Sequence, residues 1–195
     1  SWFESFERVS ISFTSCIKVQ SQKMGRLVNE MLTLSKLSNQ EKKPDDFKQF
    51  DISKVIENTT LYFESRAFEE KKEIISDIQN NIRFIGNPDK IDELTGILLD
   101  NALKYSDEES KIKLYLRLEK GTIILTCQNQ FKNFNTDNIP HLFERFYRAD
   151  KSHSKEKEGF GLGLSIAKEI VLLHNGSISV NYKNNVISFT VKFSI

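Results

Sequence analysis

Three of the chain's eight glycines stand at positions 159, 161 and 163, in the run GFGLGLSIAK, and a strongly helix-forming segment follows at once. Glycine loses more backbone freedom on folding than any other residue, so a cluster of this kind is costly wherever it sits. Close approach is what it gives in return. The first N–H groups of a helix have no partner within the helix, and the helix dipole places partial positive charge there. A side-chain-free entry lets a bulky anion reach those groups, and phosphate is the natural ligand. On this reading Gly161, Leu162 and Gly163 supply backbone N–H groups, while Ile166, Ile170 and Val171 fasten the helix to a sheet. A flexible loop that merely precedes a helix fits the same residues. The run does not follow a strand directly, as a dinucleotide fold requires, and no GxxxxGKS/T phosphate loop occurs in the chain.

With 195 residues the chain has room for one domain with an added element, or for two small domains. Hydrophobic residues at 38% support a real core. Lys and Arg number 28 against 27 Asp and Glu, so no bulk charge draws the chain to nucleic acid or to lipid. Cys16 and Cys127 are too few for a disulfide framework and point to a reducing compartment. No apolar run is long enough to span a bilayer, and no signal-peptide pattern opens the chain. Its first residue is Ser1 rather than Met, and the expectation is that it belongs to a longer polypeptide.

A division is expected near residue 42. Residues 16–38 contain no proline and place Met24, Leu27, Met31, Leu34 and Leu37 at helical spacing. Such a narrow stripe suits a helix packing on its own domain or, the preferred reading, a hairpin or dimer helix. The polar EKKPDD at 41–46 follows like a linker, whereas SWFESFERVSISF has mixed periodicity and receives no element. From Phe47 the pattern becomes α+β. Asp51 reads as an N-cap, with Ile52, Val55, Ile56, Thr59, Tyr62 and Phe63 on one helical face. KEIISDI and IRFIG read as two short strands joined by a turn at Asn80-Asn81. Asn87-Pro88 opens a helix running to about Tyr105. Two hairpins follow, turning at Glu119-Lys120-Gly121 and at Asn184-Asn185. Between Cys127 and Gly159 lies a long polar stretch interrupted by LFERFYR, of a length usually functional or disordered.

The second chemical signal is ELTGILLDNALKYS at 93–106, where Asn101 shares a helix face with Leu94, Leu98, Ala102 and Tyr105. An amide in an apolar stripe must find partners or cost stability, and neighbouring backbone is the common solution. Lys104 lies three positions on. An amide oxygen can ligate Mg²⁺ while a nearby ammonium meets phosphate oxygens, with waters and nucleotide completing the shell.

Taken together these segments resemble the catalytic domain of sensor histidine kinases, members of the Bergerat-fold superfamily shared with gyrase and mismatch-repair ATPases. LLDNALKYS is similar to the family's N box, LFERFYRADKSHS to its F box and the start of its ATP lid, and GFGLGLSIAKEIVLLHNGSISV to its second glycine box. RLVNEMLTLSKLS at 26–38 is similar to the second helix of the dimerisation and histidine-phosphotransfer hairpin. The resemblance covers most of residues 16–195. It implies an α+β, two-layer sandwich with a mixed sheet and helices on one face, preceded by a long dimerisation helix. Residues 1–42 would form part of the dimerisation region and residues 47–195 the catalytic, ATP-binding domain. Carried over by position, Asn101 would coordinate Mg²⁺, and Lys104 and Tyr105 would face the triphosphate. Arg148 would reach the terminal phosphates and stabilise a loose phosphoryl-transfer transition state. Phe143 and Phe146 would anchor the lid by packing, and Gly161, Leu162 and Gly163 would offer backbone N–H groups. ATP would donate its γ-phosphate to a histidine on a neighbouring helix, for relay to an aspartate of a response regulator. A homodimer in the full-length protein, and a membrane-tethered receptor with this part in the cytoplasm, are further implications.

The chain departs from the family at definite places. The first glycine box, DxGxG, falls on NQFKN, with Asn129 at the aspartate that accepts from the adenine amino group and Phe131 and Asn133 at the glycines. Asn129 keeps an acceptor but loses the charge, and charge-assisted bonds are roughly twice as strong as neutral ones. Ile97 replaces the first asparagine of the N box. The three histidines, His141, His153 and His174, all come late and none has an HExxxP-like setting, so the phospho-acceptor is expected upstream or on another chain. Two alternatives stand beside the kinase reading: a degenerate module acting through dimerisation or partner binding, and a serine kinase or ATPase of the same fold.

Overall fold

The computed structural model describes residues 2–39, 47–149 and 159–195. The EKKPDD linker, His153 and the beginning of the expected lid lie outside the described residues.

Helix α1 (Trp2–Asn39) takes in both the 16–38 stripe and the preceding segment of mixed periodicity. The stripe does not act as one seam. Leu34 and Leu37 are buried and Leu27 is half-buried in the core, whereas Met24 and Met31 are 68% and 48% exposed. The spacing explains the split: 27, 34 and 37 return to one face, and 24, 28 and 31 to its neighbour. The first face packs on α4 (Gly163–Leu173).

The body is α+β, as the pattern predicted. Its main sheet has the order β2-β4-β5-β7-β6, built from β2 (Glu73–Ile78), β4 (Lys111–Glu119), β5 (Thr122–Gln130), β6 (Ser177–Lys183) and β7 (Val186–Ser194). Strand β2 runs parallel to β4 and every other pairing is antiparallel. Helices α2 (Ile52–Glu69), α3 (Pro88–Tyr105) and α4 cover one face. Alternate residues Ile112, Leu114, Leu116, Leu125, Phe189 and Val191 point into that layer and are buried. This is the two-layer sandwich implied by the motifs.

Local signals held. Asp51 accepts from Ser53 N–H at 3.1 Å and Asn87 from Lys90 N–H at 3.1 Å, so both helices carry side-chain caps. Asn184 and Asn185 both adopt positive φ, 53° and 60°, in the tight turn that joins β6 to β7. Tyr62 does not join its expected face: it is 80% exposed.

The two strands expected at KEIISDI and IRFIG both form, in different sheets. Strand β2 joins the main sheet, while β3 (Arg83–Gly86) pairs with β1 (Lys48–Asp51), a strand the sequence did not announce. The cause is visible at the start of α2. The buried Ser53 hydroxyl donates to Gln79 O at 2.7 Å and accepts from Ile82 N–H at 3.2 Å, and Ile52 N–H donates to Ile82 O. These bonds tie the connection to the helix, so it carries the chain into a second sheet.

His174 joins that small sheet to the body. Its Nδ1–H donates to Ile170 O at 2.8 Å and its Nε2 accepts from Asn87 N–H at 3.0 Å. The ring stacks on Phe47 at 4.9 Å. Burial lowers its pKa below the ordinary imidazole range, against a smaller upward pull from the Ile170 carbonyl. It is a packing histidine, as its position in the sequence suggested.

Candidate functional site

A cavity of about 490 Å³ opens between α3, the end of β5, the LFERFYR segment and the glycine run. Its size falls in the range of small-molecule sites. Among the predicted site residues Asn101, Lys104, Tyr105, Asn129, Arg148, Gly161 and Gly163 all line it. Residues separated by up to 62 positions therefore converge on one space.

Helix α3 supplies the wall with the most chemistry. Asn101, Lys104 and Tyr105 follow one another along its cavity face. No hydrogen bond occupies the Asn101 side chain among the described residues, so its amide oxygen is available to a ligand. Lys104 is held by Asp100 at 2.6 Å, and the same carboxylate receives Arg66 at 2.6 Å. Arg66 is paired in turn with Glu70 at 2.8 Å, and Asp100 holds the Lys104 ammonium at the cavity wall. Lys104 Nζ also lies 3.9 Å from the position a Cβ would take on Gly159.

The glycine run contributes in two ways. No side chain caps α4, and Gly163 and Leu164 line the cavity, so the unpartnered N–H groups of its first turn stand at the wall. Gly161 has a further duty. Its φ is 73°, and a Cβ there would meet Tyr147 O at 2.6 Å. Phe146 N–H donates to Gly161 O at 3.0 Å, so the glycine stitches the loop to the LFERFYR backbone.

Two predicted residues are not brought to the cavity by their side chains. Leu162 is fully buried in the core, behind the wall. Phe146 is 54% exposed with φ 63°, and its backbone N–H bonds to the glycine run. Phe143 packs as expected, edge-on to Phe189 at 6.3 Å.

At the β5 end the lining turns aromatic. Tyr105 stacks on Phe131 with centroids 6.3 Å apart, and Phe131 lies 5.3 Å from Phe134. Asn129, 3% exposed, is the buried polar residue beside them, and its Nδ2 donates to Gln130 O at 3.2 Å. Asn133 holds φ 58°, a left-handed conformation that asparagine tolerates better than most residues, so loss of a glycine here leaves the backbone path intact.

The sequence reading missed Glu30 and Asp100. Glu30 belongs to α1 yet lines the same cavity. Burial raises its pKa, Lys104 and Arg26 pull it down, and Asp100 pushes it up. Its signal was present: position 30 falls on the face of Leu27, Leu34 and Leu37. Asp100 was legible as the i,i+4 partner of Lys104. Cys127 is buried, and burial pushes its thiol up to about 12, away from the thiolate form a nucleophile needs.

Residues 86–195 match the family described as histidine kinase-, DNA gyrase B- and HSP90-like ATPase. Sensor protein DltS of Streptococcus agalactiae is 33% identical over 176 residues, covering 90% of this chain and 44% of that protein. Sensor protein kinase WalK of Staphylococcus aureus is 30% identical over 182 residues, covering 90% and 42%. The chain thus spans less than half the length of these relatives. Among solved structures, the Acinetobacter baumannii histidine kinase AdeS superposes with a TM-score of 0.73 at 24% identity, covering 90% of this chain and 80% of that one. Full-length ShkA in complex with AMPPNP gives 0.78 at 18% identity, covering 93% and 38%. These structures support the fold. With more than half of its residues inside the family match, the chain belongs to the histidine kinase-, DNA gyrase B- and HSP90-like ATPases, and its relatives there are sensor proteins of the histidine kinase type.

Proposed function

We propose that residues 47–195 are the catalytic domain of a sensor histidine kinase and that 1–42 contribute the second helix of its dimerisation and phosphotransfer hairpin. The domain binds Mg-ATP and transfers the γ-phosphate to a histidine outside this chain, for relay to a response-regulator aspartate. One observation carries the reading: an unbonded Asn101 amide, the Lys104 cation, Arg148 and the uncapped start of α4 share a single cavity with an aromatic end.

The residues fit a magnesium nucleotide. Asn101 offers a neutral oxygen to a hard cation, which neutralises phosphate charge when bound. Lys104 and Arg148 orient the phosphates and stabilise the charge that spreads over the transferred group. Gly161 and Gly163 keep side chains out of the anion's way, Asn129 meets the edge of the base, and Tyr105 lies between the two ends. The exposed Met24, Val28 and Met31 of α1 suit a second helix in a homodimer. Among the described residues no helix is long and apolar enough to cross a membrane. A cytoplasmic position below a membrane-spanning receptor segment is part of the proposal, as the family resemblance implies.

Titration with ATP, with and without Mg²⁺, tests the reading. Binding that strengthens with Mg²⁺ and is lost in Asn101→Ala is the expected result, and no binding at millimolar nucleotide overturns it. The altered NQFKN segment and Ile97 favour a second reading, a module that signals through its partners with little nucleotide chemistry. Under that reading Asn129→Asp recovers no phosphotransfer to a supplied histidine-bearing hairpin.

A further inference from the structure

The two ends of the cavity call for different parts of a ligand. Cations and backbone N–H groups gather at one, and flat hydrophobic surface at the other. That surface is fixed before a ligand arrives. Phe131 N–H donates to Asn185 O at 2.8 Å, and Phe131 O accepts from the Tyr182 hydroxyl at 3.0 Å. Tyr105 stacks near the ring and Phe134 packs against it at a 50° tilt. A rigid aromatic wall recognises planarity, and stacking is tolerant because every base has a π-face.

Asn129 lines the cavity beside that wall. Its Nδ2–H is bonded to Gln130 O, and among the described residues nothing donates to its Oδ1. A carboxylate there could only accept. A carboxamide carries an acceptor and two donors on one plane, so with one hydrogen on Gln130 O it still has one of each to offer.

We propose that Asn129 and Phe131 make this a purine-permissive nucleoside triphosphate site. The proposal rests on the nucleotide-binding reading and names its base selectivity. With Oδ1 forward, Asn129 accepts from the exocyclic amino group of adenine. Its second Nδ2 hydrogen donates to the carbonyl of guanine or hypoxanthine while the first stays on Gln130 O. Because the bond to Gln130 O is kept with either base, ATP leads GTP by no more than about tenfold. A carboxylate opposite a base carbonyl sets two acceptors face to face, and sites of that kind reject the wrong partner by orders of magnitude.

Calorimetric titration of the whole chain with ATP, GTP and ITP, each with Mg²⁺, tests this. The expected result is a Kd ratio of GTP to ATP no greater than about ten, with ITP tracking GTP. Asn129→Asp raises the ratio to about a hundred or more, mainly by weakening GTP. Phe131→Leu weakens all three nucleotides together and leaves the ratio unchanged. A wild-type ratio above about a hundred overturns the proposal, and this measurement requires no variant to fold. An unchanged ratio in a folded Asn129→Asp protein overturns it equally. Binding of ATP with strong rejection of GTP leaves the nucleotide reading standing and removes only this one; binding of none of the three removes both.

Discussion

At Gly161 a single missing side chain allows two backbones to touch. A methyl group there would sit 2.6 Å from Tyr147 O and 2.9 Å from Phe146 C, in a left-handed conformation. Gly161→Ala is therefore expected to cost about 3 kcal/mol in urea unfolding. Gly163→Ala meets only Ile97 Cγ2, at 3.5 Å, and should stay within about 0.5 kcal/mol. The contrast separates two glycines that the sequence presented as equivalent. His174 sets a second test at this scale. Its imidazole is neutral in the fold and its pKa is depressed, so below the unfolded value of about 6.5 the unfolded chain binds more protons than the native one. Stability contributed by the neutral ring is fully present above that pH and is lost as pH falls toward the folded pKa. Glu30, whose pKa is raised, contributes in the opposite sense at lower pH. The urea midpoint should fall between about pH 7.5 and about pH 5.5, and His174→Gln should flatten that slope.

Elements were legible where their signals were local. Caps at Asp51 and Asn87, the asparagine turn before β7 and the alternation of β4 and β5 all depend on a few neighbouring residues. Pairing between distant segments was not. Nothing near KEIISDI states that it will lie parallel to β4, and β1 is only four residues long. The bond that decides the matter comes from Ser53, 26 positions before its acceptor. Ser53→Ala leaves the Ile82 N–H without its partner in a buried place, and chemical denaturation should show a loss of about 2 kcal/mol. The site divides in the same manner. Asn101, Lys104 and the glycines stood out because their residue types are costly or unusual where they occur. Glu30 was hidden because an acidic residue on a helix is ordinary until its neighbours are known.

For the molecule as a whole, the relation of α1 to the body matters most. The helix packs on α4 and brings Glu30 to the cavity that Lys104 also lines. A carboxylate in that position opposes an incoming polyphosphate. Glu30→Gln should tighten Mg-ATP binding about fivefold at low ionic strength, and less in high salt. Unchanged or weaker affinity in calorimetry would show that Glu30 does not oppose the phosphates.

The bond from Phe146 N–H to Gly161 O has one more implication. It fixes, within one hydrogen bond, the two points between which residues 147–160 must run. A chain whose endpoints are already held close can gain or lose length at small entropic expense, each doubling adding only about 0.6 kcal/mol. Changes of length between Ala149 and Gly159 are thus expected to cost little in folding, provided Arg148 and Gly159 keep their places on the cavity wall.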